Sequence, residues 1–174
     1  SMDGYASASS SMAMDGLKVS LSTKCPDVII GDGDSLSPEY KELFSPIVHQ
    51  IADQETNDQT KAVHFLQKKG FRRIAIVGAT GKREDHTLGN IGLMLKARKE
   101  GISIIMVDDH NKMYLSEKNM ILNGKPGETI SFHALSEVVK GFKIRGAKYN
   151  LDSYDMHLLD PRAVCNEFLD TPIN

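Results

Sequence analysis

The chain lacks any apolar run close to the roughly 20 residues that a membrane span needs, so the sequence predicts no membrane association. It also lacks a large excess of charge. Lys and Arg number 21, Asp and Glu number 23, and the formal net charge is -2. This balance gives no general attraction to nucleic acid or to anionic membranes. Any phosphate binding must therefore come from local groups of side chains.

Cysteine is scarce. Neither of the two cysteines, Cys25 and Cys165, belongs to a CxxC pair or to an evident zinc-ligand set. Two free thiols in a reducing compartment are the simpler interpretation. The N-terminal region has no charged segment followed by an apolar one, so no secretory signal is visible. We therefore expect a cytoplasmic protein.

Up to residue 107 the sequence pattern predicts strands that alternate with helices. With 174 residues, of which 40% are apolar and 25% charged, the chain can bury a core in one large domain or two small ones. Short apolar runs predict strands at 28–30, 48–52, 73–77 and 102–107. This alternation predicts a parallel sheet with helices on its faces, and ligand binding at the ends of its strands.

Three helices are expected between these strands. Ser37-Pro38 marks the first start, and Thr56 marks the second because it has the capping-box spacing with Gln59. The third is expected to end near Gly101. The expected apolar stripes are Ala62, Val63 and Leu66 in the second helix, and Leu88, Ile91 and Leu95 in the third.

After Asp109 the pattern changes to short alternating runs separated by Gly, Asn and Asp. Such runs, for example at 113–115, 129–132 and 156–158, predict a small antiparallel β domain. We therefore expect an α/β domain over 1–108 and a β domain over 109–174. Residues 1–14, rich in Ser, Ala, Met and Gly, are expected to be irregular.

The most informative segment is Gly31-Asp32-Gly33-Asp34-Ser35, directly after the apolar run at 28–30. In an extended chain the period of two places Asp32 and Asp34 on the same side. Two close carboxylates repel each other unless a cation lies between them, and Mg²⁺ prefers carboxylate oxygens. An acidic surface turn is the alternative, since Asp and Gly are ordinary turn residues.

A second segment, 53–61, lies where an element ends and a helix begins. Asp58 falls in the first turn of that helix, where an acid either joins a metal site or favours the positive end of the helix dipole. Lys61 lies three residues later and shares its face. This lysine either reaches a phosphate or pairs with Asp58, and pairing is the commoner outcome.

A third segment, 78–86, opens with Gly78-Ala79-Thr80-Gly81, which predicts a strand-to-helix turn whose N–H groups can bind an anion. The turn is not a Walker A loop, because only two residues separate its glycines and Arg83 follows Lys82 where Ser or Thr is needed. Arg83 can hold a phosphate through two parallel hydrogen bonds.

In this order and spacing the three segments resemble thiamin pyrophosphokinases, a family that transfers a pyrophosphoryl group from ATP to the hydroxyl of thiamin. The products of that reaction are thiamin diphosphate and AMP. The resemblance runs from about Asp15 to about Phe168 and is densest between Asp27 and Asn90. It implies an ATP- and Mg²⁺-binding α/β domain followed by a β-sandwich that binds thiamin, in a homodimer whose acceptor site combines residues of both subunits.

The resemblance also assigns residues. The metal-binding aspartates are Asp32, Asp34 and Asp58, and Gln54 and Lys61 complete the catalytic set. The ATP- and phosphate-binding residues are Thr80, Gly81, Arg83, Asp85 and His86. Asp85 either joins the metal shell or orients Arg83. His86 either carries a proton or has a structural role at the helix start, and the structural role is the commoner one.

The thiamin-binding residues implied by the resemblance are Tyr149 and Asn166. An aromatic face suits a flat cationic ring, although a half-buried strand tyrosine is an equally good interpretation of Tyr149. The segment before Asn166 departs from the family, which often has Ser and Thr where this chain has Ala163-Val164-Cys165.

The two ends also depart from the family. Thiamin pyrophosphokinases open with an apolar strand and continue with further strands after the Asn-Glu segment matched by Asn166-Glu167. We therefore expect the first strand of the α/β domain to be missing or atypical, and the final strands of the β domain to be missing.

Two other functions fit part of the sequence. A phosphatase of the haloacid dehalogenase type would use Asp32 as a nucleophile, but Leu36 occupies its Thr/Val position and the other two segments would have no role. A nucleotide- or thiamin-binding module without activity is the second alternative. The complete acidic group argues against it.

Overall fold

The computed structural model describes residues 6–9, 27–31, 38–51, 55–81, 83–116 and 118–174. Its Cα positions divide the chain into two compact units, Ser1–Leu115 and Ser116–Asn174. In chain order, the described strands are β1 (Ala6–Ser9), β2 (Ile29–Gly31), β3 (Val48–Gln50), β4 (Arg73–Val77), β5 (Ser103–Val107), β6 (Lys112–Tyr114), β7 (Thr129–Ile130), β8 (Val138–Ile144), β9 (Leu151–His157) and β10 (Asn166–Glu167). The described α-helices are α1 (Pro38–Leu43), α2 (Asp58–Lys68) and α3 (Glu84–Lys99), and two 3₁₀ helices cover Ser45–Ile47 and Pro161–Ala163.

The first unit is built on parallel strands, as predicted. Its larger sheet has the order β1-β4-β5-β6, in which β1, β4 and β5 run parallel and β6 pairs antiparallel with β5. Strands β2 and β3 form a separate parallel pair. The segment at 113–115, expected in the β domain, thus contributes its first two residues to the sheet of the first unit. The domain boundary after residue 108 stays a prediction.

The N-terminal segment contains a strand that the sequence analysis did not expect. Residues Ala6–Ser9 pair in parallel register with β4, from Ala6 opposite Ile74 to Ser9 opposite Val77. The expectation of an irregular N-terminus is therefore wrong for these four residues. An Ala-Ser-Ala-Ser stretch has neither the apolar alternation nor the β-branched residues that predict a strand. This strand is defined by its backbone pairing with β4, and such pairing needs no particular side-chain pattern. The sequence of residues 6–9 therefore gave no indication of it.

The core of the first unit lies between the sheet and helices α2 and α3. Three consecutive residues of β4, Ile74 to Ile76, are buried, as expected for a strand covered on both faces. The buried cluster consists of Val63, Ile74, Ile76, Ala79, Leu93, Met94, Ala97, Ile102, Ile104 and Met106. Ala62 and Leu66 pack against it, as predicted for the stripe on α2.

Helix α3 forms where predicted but buries a different face. Of the predicted stripe, Leu88 is wrong because it is 65% exposed, whereas Ile91 packs against the buried cluster. The buried residues of α3 are Asn90, Leu93, Met94 and Ala97. These positions follow the i, i+3, i+4, i+7 spacing of one helix face. Apolar residues occur on several sides of α3, so their spacing alone does not select the face that meets the sheet.

The second unit is antiparallel, as predicted. Strands β8 and β9 pair from Val138 opposite His157 to Ile144 opposite Leu151, with irregularities on both sides of Phe142. Strands β7 and β10 form a second antiparallel pair. The buried cluster of this unit consists of Ala134, Ile144, Ala147, Met156, Ala163, Phe168 and Ile173. Each unit therefore has a hydrophobic core of its own.

No helix among the described residues is long and apolar enough to cross a membrane.

Candidate active site

The carboxylate of Asp58 lies against the last residue of β2. A Cβ atom built on Gly31 would be 3.4 Å from Asp58 Oδ2 and 3.5 Å from Oδ1. Because Gly31 is followed directly by Asp32, this contact links the second acidic segment to the start of the first one. The structure thus brings Asp58 from the start of α2 to the strand end where the Gly-Asp-Gly-Asp segment begins.

The position of Asp58 is set by the cap of helix α2. Asn57 Oδ1 accepts hydrogen bonds from the backbone N–H of Thr60 at 2.9 Å and from its hydroxyl at 2.7 Å. Asn57 is therefore the N-cap, and the helix start expected at Thr56 is wrong by one residue. Asn is among the best N-cap residues, because its short side chain reaches the free N–H groups of the first turn. Asp58 consequently occupies the first helical position, where the helix dipole favours an anion.

Lys61 pairs with Asp58 inside the first unit. Its Nζ lies 3.3 Å from Asp58 Oδ1, and its side chain is only 5% exposed while that of Asp58 is 20% exposed. The pairing that the sequence analysis considered the commoner outcome is thus present. A buried ammonium beside a carboxylate compensates part of the negative charge at the end of β2.

The other members of the predicted acidic group, Asp32, Asp34 and Gln54, lie outside the described residues. Among the residues that are described, no three His, Cys, Asp or Glu side chains gather closely enough to hold a metal ion. Of the three expected metal-binding aspartates, only Asp58 lies among the described residues, and its carboxylate is close to Gly31, the residue that precedes Asp32 in the sequence.

The turn Gly78–Gly81 follows the end of β4 and precedes helix α3. Gly78 and Gly81 have φ values of 71° and 93°, which other residues rarely adopt. The N–H of Gly78 donates to the carbonyl of Val107 at 3.0 Å. The expectation that the turn exposes its N–H groups is therefore wrong for Gly78, whose donor extends the pairing of β4 with β5.

Two residues that the sequence analysis missed hold this turn. Asn90, 4% exposed on the buried face of α3, donates from Nδ2 to the carbonyl of Ala79 at 2.9 Å. Asp108, directly after β5, accepts a hydrogen bond from the hydroxyl of Thr80. Two sequence features could have identified these residues. Asn90 is an amide at a core position of α3, and Asp108 is an acid at the end of the strand next to β4.

Arg83 and Asp85 form a two-point ion pair at the start of α3. Arg83 Nε donates to Asp85 Oδ1 at 3.1 Å, and Nη2 donates to Oδ2 at 2.5 Å. This hydrogen bonding lowers the pKa of Asp85 and raises the pKa of Arg83. Both side chains are 62% exposed. The planar guanidinium group of Arg83, here called its fork, is thus oriented by Asp85 and is open to solvent. This geometry corresponds to the orienting role considered for Asp85.

The first turn of α3 carries negative charge beside the candidate phosphate site. Glu84 and Asp85 both lie in that turn, where they interact favourably with the helix dipole. His86 follows them, is partly buried, and donates its backbone N–H to Asp85 Oδ1 at 3.0 Å. These acids would repel a polyanion, whereas the cation of Arg83 and the N–H groups of the turn would attract one.

In the second unit, Asn166 fixes the backbone of Tyr149. Asn166 is 3% exposed; its Oδ1 accepts from the N–H of Tyr149 at 3.0 Å and its Nδ2 donates to the carbonyl of Tyr149 at 2.6 Å. The same Oδ1 accepts from the N–H of Glu167 at 2.9 Å. The structure therefore brings the two predicted thiamin-binding residues together, with the amide of Asn166 committed to the backbone of Tyr149.

Tyr149 lies at the surface, where the residue is 59% exposed. Lys148 Nζ lies 5.5 Å from the centre of the ring and 2.7 Å from Glu167 Oε1. The hydrogen bond to Glu167 raises the pKa of Lys148 and keeps the ammonium charged. Since like charges repel, a cationic ligand is expected to use the ring face away from Lys148.

Gly146 explains the sharp path of the chain before Tyr149. It has a φ of 85°, and a Cβ atom there would lie 2.3 Å from the carbonyl oxygen of Pro172. Only glycine fits both the positive φ and this close approach to the backbone.

The fold and these residues define a class of enzymes that handle nucleotide phosphates. A parallel α/β unit contains Asp58 beside the end of β2, a glycine turn after β4 and an exposed arginine, and an antiparallel unit follows it in the chain. Ligands of parallel sheets bind at the carboxyl ends of the strands, where Asp58 and the glycine turn lie.

Comparison with known families identifies the group more narrowly. Residues 5–106 match the family described as "Thiamin pyrophosphokinase, catalytic domain", and residues 118–174 match "Thiamin pyrophosphokinase, vitamin B1 binding domain". The chain belongs to the thiamin pyrophosphokinase family, and the resemblance inferred from the three segments is confirmed. Kinases of this class are usually metal-dependent.

Individual relatives agree with this membership. The chain is 30% identical over 150 residues to thiamine pyrophosphokinase of Bacillus subtilis, covering 83% of this chain and 70% of the relative. It is 37% identical over 103 residues to thiamine pyrophosphokinase 1 of Oryza sativa subsp. japonica, covering 53% of this chain but only 38% of the relative. The chain thus spans less than two thirds of the rice protein.

Solved structures share the fold. The crystal structure of thiamine pyrophosphokinase from Bacillus subtilis superposes with a TM-score of 0.78 and 26% identity, covering 96% of this chain and 79% of that one. A thiamin pyrophosphokinase family protein from Enterococcus faecalis gives a TM-score of 0.76 and 27% identity, covering 90% and 77%. The names of these relatives all describe thiamin pyrophosphokinases.

Proposed function

We propose that this chain transfers the pyrophosphoryl group of ATP to the hydroxyl of thiamin in one direct step. The hydroxyl oxygen forms a bond to the β-phosphorus while the bond from that phosphorus to the oxygen bridging it to the α-phosphorus breaks. AMP leaves with the bridging oxygen, and the hydroxyl proton is released. Positioning and charge compensation supply most of the catalysis in such transfers.

The observation that carries the proposal is the position of the Asp58 carboxylate, whose Oδ2 lies 3.4 Å from where a Cβ atom on Gly31 would be. Gly31 directly precedes Asp32 in the sequence. We infer that Asp32, Asp34 and Asp58 hold Mg²⁺, which when bound compensates the charge of the transferring phosphates. Lys61 keeps the Asp58 carboxylate in place through their 3.3 Å contact. Gln54 is proposed to hydrogen-bond the substrate near the transferred phosphate.

The phosphates of ATP are proposed to bind at the start of α3. The candidate groups are the turn residues Thr80 and Gly81 and the exposed fork of Arg83. Asp85 orients that fork through two hydrogen bonds. His86 is proposed to act in the same site through its place in the first turn of the helix. Membership of the thiamin pyrophosphokinase family supports this assignment.

Thiamin is proposed to bind on the second unit. The exposed ring of Tyr149 supplies a flat face for a cationic ring. Asn166 contributes by fixing the backbone that carries this ring.

We also propose a homodimer whose acceptor site combines residues of both subunits. Full activity in a protein that sediments only as a monomer would contradict the proposed homodimer. A cytoplasmic location stays a prediction.

The experiment is to incubate the purified protein with ATP, thiamin and Mg²⁺ and to quantify the products chromatographically. We expect equal amounts of thiamin diphosphate and AMP, formed only when all three components are present. Mass spectrometry of the protein after turnover should show no aspartyl phosphate. Thiamin-independent release of phosphate contradicts the proposal, and so does a phosphorylated Asp32.

A further inference from the structure

Asp108 connects the end of β5 with the turn that follows β4. The two strands are in parallel register, with Val77 opposite Val107, so the residues after them emerge side by side. Asp108 Oδ2 accepts the hydroxyl hydrogen bond of Thr80. Its Oδ1 accepts from the backbone N–H groups of His110 at 2.7 Å and Asn111 at 2.6 Å.

Each oxygen of this carboxylate therefore has protein donors. The hydrogen bond from Thr80, and next the one from the His110 amide, lower the pKa of Asp108, so it is charged at neutral pH. A carboxylate beside a site for a polyanion is unfavourable by charge alone, because like charges repel and do so more strongly inside a protein than in water. A charged Asp108 next to the glycine turn therefore implies a function that offsets this electrostatic cost.

We propose that Asp108 is a positioning residue: it holds Thr80, and with it the Gly78–Gly81 turn, in the conformation that receives the phosphates of ATP. This inference rests on the proposed function, in which the turn binds ATP. Asn90 holds the same turn from the other side through the Ala79 carbonyl at 2.9 Å. The turn is thus tied to α3 by an amide and to the β5–β6 connection by a carboxylate.

The arrangement also limits what Thr80 can do. Its hydroxyl has one proton, and that proton is donated to Asp108. The hydroxyl therefore has no proton left to donate to a phosphate oxygen. Within the described part of the chain, the backbone N–H groups of Ala79, Thr80 and Gly81 donate to no other residue, so they remain as donors for a phosphate. Asp108 consequently acts through the shape of the turn and not through contact with the nucleotide.

The test compares Asp108→Ala, Asp108→Asn, Thr80→Val and the double variant Asp108→Ala/Thr80→Val. Asp109→Asn, an exposed neighbour, is the matched control. Loss of a hydrogen bond to a charged group corresponds to roughly a 10-fold effect, so Asp108→Ala should raise the KM for ATP by about that factor. The KM for thiamin should change by less than about twofold. The double variant should be no worse than Asp108→Ala, because Asp108→Ala already breaks the hydrogen bond that Thr80→Val removes.

Asp108→Asn separates positioning from the alternatives. Its Oδ1 can still accept both backbone hydrogen bonds, and its Nδ2 can donate to the Thr80 oxygen, so most of the ATP affinity should return. An Asp108→Asn variant as impaired as Asp108→Ala overturns the proposal in favour of direct ligation. A lower KM for ATP in Asp108→Asn overturns it in favour of simple charge repulsion. Equal increases in both KM values overturn it in favour of a general structural role.

Hydrogen exchange of the backbone amides in the 79–83 segment gives a readout that does not depend on catalysis. Asp108→Ala should speed this exchange while Asp109→Asn leaves it unchanged. Unchanged exchange in Asp108→Ala contradicts the positioning role. If the wild-type protein forms no thiamin diphosphate, the proposed function fails, and the exchange measurement still decides whether Asp108 holds the turn.

Discussion

The two units hold their candidate groups by different means. In the first unit the groups are charged and pair with one another, as Lys61 with Asp58 and Arg83 with Asp85. In the second unit a buried neutral amide, Asn166, fixes the backbone of an exposed aromatic ring. This difference indicates that the first unit supplies charge compensation and the second supplies a surface. Substitutions in the first unit should therefore impair catalysis or saturation with ATP, and those in the second should weaken saturation with thiamin.

The largest effect is expected for Asp58→Asn. This change removes one negative charge from the acidic group while keeping the shape of the side chain. Loss of a group that stabilises transition-state charge typically costs about 10²- to 10³-fold in rate, and we expect kcat to fall by that factor. The measurement is steady-state kinetics at saturating Mg²⁺. Glu39→Gln, an exposed acid in the first turn of α1, is the matched control and should have near wild-type activity.

Asp58→Asn also leaves the buried Lys61 without its full counter-charge, which lowers stability. The double variant Asp58→Asn/Lys61→Met removes the unpaired ammonium. It should regain thermal stability but remain inactive. Activity that returns together with stability would show that Asp58 has only a structural role.

The next largest effect is expected for Arg83→Lys. Lysine keeps the charge but loses the fork that makes two parallel hydrogen bonds. Loss of one charge-assisted bond corresponds to about 1.5–3 kcal/mol, or roughly a 10- to 100-fold rise in the KM for ATP. Thermal unfolding should change little because the pair with Asp85 is exposed. Arg145→Lys, at the exposed Arg145–Asp152 pair of the second unit, is the matched control. Unchanged ATP kinetics in Arg83→Lys removes Arg83 from the site.

The smallest effect is expected for Tyr149→Ala. A cation–π contact is worth about 0.5–2 kcal/mol, so the KM for thiamin should rise roughly 2- to 30-fold while that for ATP stays nearly constant. Tyr149→Phe keeps the aromatic face and should recover most of the loss. Both substrates are varied in one steady-state experiment. Normal thiamin saturation in Tyr149→Ala contradicts the assignment of this ring, and a parallel rise in the KM for ATP contradicts the division of labour between the units.

Much of the fold could be predicted because local signals agreed with the tertiary structure. Strand β4 has the predicted bounds, since an apolar run bounded by turn residues fits a strand buried on both faces. Strand β1 had no such signal, because its four small residues are defined by pairing with β4. The buried face of α3 was missed because apolar residues lie on several sides of this helix, and contact with the sheet selects one of them.

The contacts of the candidate site could be predicted where the interacting residues are close to each other in the sequence. Arg83 and Asp85 are two residues apart, and their pairing follows from that spacing. The contact of Asp58 with Gly31, the tie from Asp108 to Thr80 and the Asn166–Tyr149 pair join distant segments. Such contacts depend on strand register and loop path, which a single sequence does not contain.

The central claim is direct pyrophosphoryl transfer from ATP to thiamin, and the position of isotope labels in the products tests it most directly. The protein is incubated with thiamin, Mg²⁺ and ATP labelled with ³²P at either the α- or the γ-phosphate. We predict that γ-label appears in thiamin diphosphate and α-label in AMP, in equal amounts. Label from the γ-phosphate in inorganic phosphate, or ADP accompanied by thiamin monophosphate, would contradict the claim.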